Sequence, residues 1–307
     1  MPLPLRVKAD LALVGVIFIW GTSFVIVKTA LDDASPLAFL LLRFVVASLA
    51  LLVLSWRSLA TTEPGTLRAG AVIGFFLFAG FAFQTIGLQH TTPTKSAFIT
   101  ALSVPFVPLL LVVLFRRRLR WDVLAGIAAA TLGMYLLTVP PGALEIARGD
   151  LLTLGCALAF AGHIVALGRY APRFGHAQLA LWQILVALAL FVLIAPLAGP
   201  TGLDAMEVRW SGRLLLAVGV TGVLATALAF SVQTWAQQFT LPTHTAIIFS
   251  LEPVFAALTS FLVLRERLGG RGLLGAGLIL LGVLLVELRG SPTPVDAVGG
   301  ANPSGGG

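Results

Sequence analysis

TTPTKSAFITALSVPFVPLLLVVLFRRRLRWDVLAGIAAATLGMYLLT (residues 91–138) and TLPTHTAIIFSLEPVFAALTSFLVLRERLGGRGLLGAGLILLGVLLVE (residues 240–287) are two copies of one pattern at a constant offset of 149. Thr91, Pro93 and Thr94 match Thr240, Pro242 and Thr243. Ala97, Leu102 and Phe106 match Ala246, Leu251 and Phe255. Arg116, Arg118 and Leu119 match Arg265, Arg267 and Leu268, and Gly126 with Gly133 matches Gly275 with Gly282. An ungapped offset of this length means that one unit was duplicated and fused. The unit is strongly apolar, so the duplication points to a membrane protein built from repeats, an arrangement typical of transporters.

The similarity continues outward from this stretch. Gln84, Thr85 and Gln89 match Gln233, Thr234 and Gln238 at the same offset, whereas Asp10 and Leu11 match Asp150 and Leu151 at an offset of 140. The change places a nine-residue insertion near residues 200–209. Hydrophobic residues make up 58% of the chain, mean hydropathy is +1.00 and only 11% of residues are charged. A soluble domain carries about 25% charged residues, so lipid must be the solvent here. A span needs about 20 apolar residues. Ten segments qualify, near 10–31, 36–55, 69–89, 93–115, 121–138, 150–170, 177–198, 212–236, 242–264 and 270–288. None alternates in the manner of a barrel strand. The expected fold is therefore an all-α polytopic membrane protein of ten transmembrane helices in two repeats, 9–138 and 149–288. A Pro/Gly-rich, disordered tail at 291–307 follows. Five spans is an odd number, so the second copy enters the membrane from the opposite side and the repeats are inverted.

Loop charge sets orientation. With the N-terminus cytoplasmic, Arg6, Lys8, Arg57, Arg68 and the basic run at 116–120 lie inside, and the first half obeys the rule. Arg209, Arg213 and the 265–271 loop fall outside and break it. Both termini are expected in the cytoplasm. The net charge of +7 belongs to these loops and not to nucleic acid. The single cysteine, Cys156, forms no internal disulfide, and His90, His163, His176 and His244 have no metal-ligand spacing. No metal or cofactor is expected.

Trp20-Gly21-Thr22-Ser23-Phe24 resembles the tryptophan-glycine motif of the drug/metabolite transporter superfamily, specifically its EamA-type exporters. Ser35-Pro36 followed by Arg43, residues 92–94 through Pro105, and Leu251-Glu252-Pro253 through Glu266 are similar to the same family's pattern. The resemblance covers residues 9–288. It implies a ten-helix exporter of small organic metabolites in a bacterial-type inner membrane. A central cavity would be lined by spans 1–4 and 6–9.

Ionisable groups within spans are costly and are therefore functional candidates. Here they are Lys28, Arg43, Lys95, His163, His244 and Glu252. Lys28, Arg43 and Lys95 lie toward the outer side, where Asp32 and Asp33 would partly balance them. Snorkelling to headgroups is the favoured account of the two lysines and the lesser one for Arg43, which lies deeper. Glu252 lies ten residues after Pro242, about 15 Å into its helix. At that depth a carboxylate must be paired, hydrated or protonated. It either binds a substrate ammonium or coupling proton, or serves as a structural partner of Arg43 or His244. His163 replaces Ser23 in the repeat, and Gln183 replaces Arg43. Each histidine faces the cavity or is simply hydrogen-bonded in the packing. Trp20 and Trp235 offer aromatic surface, and Gln84 and Gln233 offer hydrogen bonds to a polar solute. Pro93 and Pro105, with Pro242 and Pro253, interrupt corresponding helices, a pattern that marks a midplane site or ordinary kinking.

The expected function is export of amino-acid-like or amphipathic metabolites by alternating access. The expected partners are a small-molecule substrate and the lipid bilayer, with protons as a candidate coupling ion. The chain acts as a monomer or homodimer. A sugar-phosphate or nucleotide-sugar exchanger would instead set Lys28, Arg43 and Lys95 against phosphate. A membrane-embedded enzyme would need a nucleophile with a base or a carboxylate pair, which the sequence lacks. A receptor without flux is the remaining class.

Overall fold

The structure is a computed structural model that describes residues 3–59, 62–91, 93–115, 119–139, 147–264 and 269–288. The tail at 291–307, the arginines of 116–118, and Arg265 and Arg267 lie outside the described residues, and of Pro93 and Lys95 only the backbone is described. The described chain is helical. In order it runs α1 (Leu5–Ala30), α2 (Pro36–Leu59), α3 (Pro64–Gln89), α4 (Pro93–Ala101), α5 (Ser103–Phe115), α6 (Trp121–Thr138), α7 (Arg148–Tyr170) and α8 (His176–Ala198). It continues with α9 (Gly212–Gly222), a π-helical turn (Val223–Leu228), α10 (Ala229–Ala236), α11 (Pro242–Phe249), α12 (Glu252–Leu264) and α13 (Gly270–Leu288).

Eight segments are long and apolar enough to cross a bilayer, among them Ser96–Phe115 and Gly212–Ala236. α11 and α12 are separated by a break, and α13 contributes a shorter apolar stretch. Helices suit this composition because each satisfies its own backbone groups where water is absent. Large apolar side chains cover the outside: Val53 is 76% exposed, Leu54 78% and Val113 74%. Such a surface suits lipid and not water.

Helix packing depends on small residues that admit close backbone approach. α6 and α13 approach most closely at glycines. A Cβ on Gly133 would sit 2.6 Å from the Gly275 carbonyl oxygen, and one on Gly282 would sit 2.6 Å from that of Gly126. The contacts pair 133 with 275 and 126 with 282, so the helices run antiparallel. Gly70 and Gly74 of α3 seat Trp182 and the Gln183 carbonyl of α8 in the same way.

Two helices are broken at corresponding points. α4 gives way to α5 at Leu102, and α11 to α12 at Ser250 and Leu251. Leu102 and Leu251 are equivalent in the repeat, whereas the responsible prolines are not. Pro105 removes the N–H that would bond the Ala101 carbonyl, and Pro253 removes the one for Phe249. Tighter turns take up the slack, with Leu102 N–H donating to Ile99 O at 3.1 Å and Leu251 N–H to Ile248 O at 3.0 Å.

The insertion near residue 200 has a defined place. Ser35 N–H donates to Glu207 O at 2.9 Å, and Arg209 N–H donates to Asp33 O at 2.7 Å. The Asp204 carboxylate accepts from the Leu37 N–H at 2.8 Å and so caps α2 from a distant loop. Asp33 accepts from Arg209 at 2.7 Å, Ser211 at 2.7 Å and Arg213 at 2.9 Å. These three donors, Ser211 foremost, hold its carboxyl well below the usual carboxylate range. Asp33 therefore neutralises Arg209 and Arg213, and not the cationic groups of the spans that the sequence pattern set it against.

Candidate functional site: a cavity at the helix breaks

α1, α2, α3, α4, α5, α7, α10, α11 and α12 enclose a cavity of about 60 Å³. One water needs about 10–15 Å³ by this measure, so it has room for several waters. α1 contributes only its C-terminal half, through Trp20, Ser23, Phe24 and Val27, and α3 only its C-terminal third, from Phe81 to Leu88. Below it, Leu13, Ile17, Val104, Val107, Ile247 and Ile248 belong to one buried apolar cluster. The cavity thus lies toward the end where α1 and α3 finish, and packed apolar side chains separate it from the other end.

Of the candidates from sequence, Trp20, Ser23, Arg43, Gln84, His163, Gln233 and Glu252 line this cavity. Gln183 lies one layer behind. His163 Nε2 shares a hydrogen with Gln183 Oε1 at 2.8 Å, and Gln183 Nε2 donates to Thr234 Oγ1 at 2.9 Å. Trp235 does not line it and packs against Phe239 at 5.6 Å between centroids. His244 is in the first turns of α11, with Nε2 3.3 Å from Asp10 Oδ1 of α1. Lys28 is tied back, donating from Nζ to the Leu88 carbonyl at 2.6 Å. Pro105, Pro242 and Pro253 do not line the cavity, whereas Ala101, Phe249 and Glu252 beside the two breaks do.

Arg43 is 3% exposed, yet it has no carboxylate partner among the described residues. Its Nε donates to Thr226 Oγ1 at 2.7 Å and its Nη2 to Ala225 O at 3.3 Å. The guanidinium also lies 4.4 Å from the centre of the Phe81 ring. Trp20 Nε1 donates to the same Ala225 oxygen at 2.8 Å. Both acceptors belong to the π-helical turn, where Thr226 Oγ1 in turn donates to Thr221 O at 2.8 Å. Glu252 is 8% exposed, and among the described residues its side chain forms no hydrogen bond or ion pair. Neither structural partner considered for it, Arg43 or His244, is bonded to it. Aromatic rings complete the lining. Phe81 and Phe230, equivalent in the repeat, meet edge to face with centroids 5.8 Å apart, and Trp20 meets Phe249 at 5.3 Å.

Sequence reading missed Thr226, the Ala225 carbonyl and Thr100, whose Oγ1 accepts from Gln84 Nε2 at 3.2 Å. A threonine in an apolar span gives no signal of its own, because it commonly bonds its own helix. Among the described residues no three His, Cys, Asp or Glu side chains gather as metal ligands.

Comparison with known proteins gives this arrangement a family. Residues 7–139 and 147–288 each match the model of the EamA-like transporter family. The chain belongs to that family. This EamA-like protein is 36% identical over 284 residues to an uncharacterized transporter of Archaeoglobus fulgidus, covering 92% of its own chain and 87% of the relative. It is 28% identical over 291 residues to a probable amino-acid metabolite efflux pump of Salmonella typhimurium, covering 88% of this chain and 91% of that one. A chain of known crystal structure shares 20% identity with a TM-score of 0.75, over 92% of this chain and 98% of the other, which shows a common fold. The EamA-like protein is a multi-pass membrane transporter.

Proposed function

We propose that this transporter exports amino-acid-like or amphipathic metabolites by alternating access, with the cavity as its substrate site. The carrying observation is that a buried guanidinium, Arg43, and a buried carboxylate, Glu252, line one cavity without pairing with each other. A buried charge without an opposite charge is costly, and a zwitterion supplies one to each group. Its carboxylate would meet Arg43 and its ammonium Glu252, with Trp20, Phe81, Phe230 and Phe249 against its apolar part. The name of the Salmonella relative supports the same substrate class. The phosphate-exchanger alternative fits less well. Among the described residues that line the cavity, Arg43 is the one Lys or Arg, and Glu252 would repel a dianion.

The halves 9–138 and 149–288 would form ten spans, with α4–α5 and α11–α12 each counted as one broken span and α13 as the tenth. Three features support inversion of the halves: the antiparallel glycine contact of α6 with α13, the equivalent breaks at Leu102 and Leu251, and the contact of Phe81 with Phe230. With both termini in the cytoplasm of a bacterial-type inner membrane, the cavity lies toward the outside and the packed end toward the inside. Rocking one half against the other would exchange the two ends.

Flux into and out of proteoliposomes holding the purified chain tests this reading, with L-phenylalanine as probe and a sugar phosphate as competitor, with and without a proton gradient. We expect carriage of L-phenylalanine that the sugar phosphate does not inhibit. Glu252→Gln should lower that flux about tenfold, the order of one charge-assisted contact. If Glu252 also carries the coupling proton, the variant loses its response to the gradient. Strong inhibition by the sugar phosphate would transfer the site to the exchanger reading.

A further inference from the structure

The π-helical turn Val223–Leu228 interrupts an otherwise continuous span and has no proline to cause it. Such turns in the middle of helices concentrate at functional sites. Its most polar position, Thr226, is fully buried. The widened turn has a specific product. Thr226 Oγ1 donates to the carbonyl five residues back, Thr221 O, at 2.8 Å, which leaves its lone pairs for Arg43 Nε at 2.7 Å. The Ala225 carbonyl points the same way and accepts from Arg43 Nη2 and Trp20 Nε1. Phe81 covers one face of the guanidinium. Two of the five guanidinium hydrogens are thus bound to the turn. The other three make no hydrogen bond among the described residues, and Arg43 lines the cavity, so together they offer a fork able to grip an anionic group bidentately.

We infer that Thr226 is a positioning residue: through the π-helical turn it fixes the Arg43 fork so that the transporter prefers solutes bearing a carboxylate. The inference rests on the reading of the cavity as the substrate site. It adds a residue that touches no substrate and sets specificity through another side chain. A threonine here supplies what valine of the same shape lacks, a hydroxyl that both donates along the helix and accepts from Arg43.

The test is kinetics of the full chain in proteoliposomes with two probes of one ring, L-phenylalanine and phenethylamine, the second lacking the carboxylate. Thr226→Val should raise KM for L-phenylalanine about tenfold, the order of one hydrogen bond to a charged group, with kcat little changed and phenethylamine unaffected. Thr226→Ser should behave as the parent protein, and in an Arg43→Gln background Thr226→Val should add nothing. An equal effect on both probes, no effect on either, or a full additional loss beside Arg43→Gln overturns the inference. If the parent protein carries neither probe, the reading of the cavity as an amino-acid-like site fails on its own. Arg43 is then followed directly, through its modification by phenylglyoxal, read by mass spectrometry of its peptide, with benzoate as protecting carboxylate. Benzoate should protect Arg43 in the parent and in Thr226→Ser but not in Thr226→Val. Equal protection in all three overturns the inference.

Discussion

At the scale of single residues, burial without an opposite charge sets Arg43 and Glu252, the groups proposed to bind the solute, apart from the other charged groups near the helix ends. Lys28 and Asp33 are charged groups at and just beyond the C-terminal end of α1, and each has protein partners. Lys28 caps the end of α3 through carbonyl oxygens, and Asp33 holds the inserted loop through Ser211, Arg209 and Arg213. Because Asp33 is held below its ordinary range when folded, it stabilises the fold at any pH above the unfolded carboxylate value, about 3.9. That contribution fades as pH falls through its depressed folded value. Asp33→Asn should therefore melt at a lower temperature than the parent at pH 7. The gap should persist at pH 4, where ordinary carboxylates are half protonated, and close only in stronger acid. Melting curves of the detergent-solubilised proteins at pH 7, 4 and 2 check this, and a gap that vanishes already at pH 5 would contradict it. The sequence exposed Arg43 and Glu252 because any charge in an apolar run is conspicuous. It could not expose Thr226 or the cap by Asp204, since the groups they hold, Arg43 and the start of α2, lie more than 150 residues away.

At the scale of elements, the duplicated pattern made the helices and their interruptions legible, but not the causes. Prolines at non-equivalent positions break the two helices at equivalent leucines. The break thus follows the register of the repeat and not the proline alone, and a proline count misplaces it. The π-helical turn left no mark on periodicity because an apolar helix bundle has no polar face to fall out of step. The glycines of α6 and α13 were legible as a repeated seven-residue spacing, and their antiparallel meeting required the fold. That contact is backbone on backbone, so it has little room to give. Gly133→Val would press a Cβ to 2.6 Å from the Gly275 oxygen and 2.8 Å from the Ile279 nitrogen. Overpacking of this kind costs about 1–3 kcal/mol. Thermal melts should show the loss, while Gly277→Val on the same pair, with nothing within 4 Å, should melt as the parent. Because neither α6 nor α13 lines the cavity, KM for a carried probe should stay unchanged in both variants.

At the scale of the whole molecule, transport by rocking depends on the sense in which the halves enter the bilayer. Positive charge alone leaves that sense open, since the first half obeys the loop rule and the 265–271 loop does not. The inversion proposed above rests on a contact that is independent of charge. Two equivalent helices that touch through glycines with their directions opposed fit a two-fold axis in the membrane plane, and a parallel repeat would point them the same way. The loops before α6 and α13 then lie on opposite faces of the membrane. Cysteines placed at Arg120 and Arg271, both described and at least partly exposed, report those faces, and the natural Cys156 is buried and silent. In intact cells a membrane-impermeant maleimide should label Arg271→Cys and spare Arg120→Cys until the membrane is opened. Labelling of both from one side would mean halves of like orientation. The cavity would then have no symmetric counterpart to open at the packed end, and a rocking exchange of the two ends would lose its physical basis.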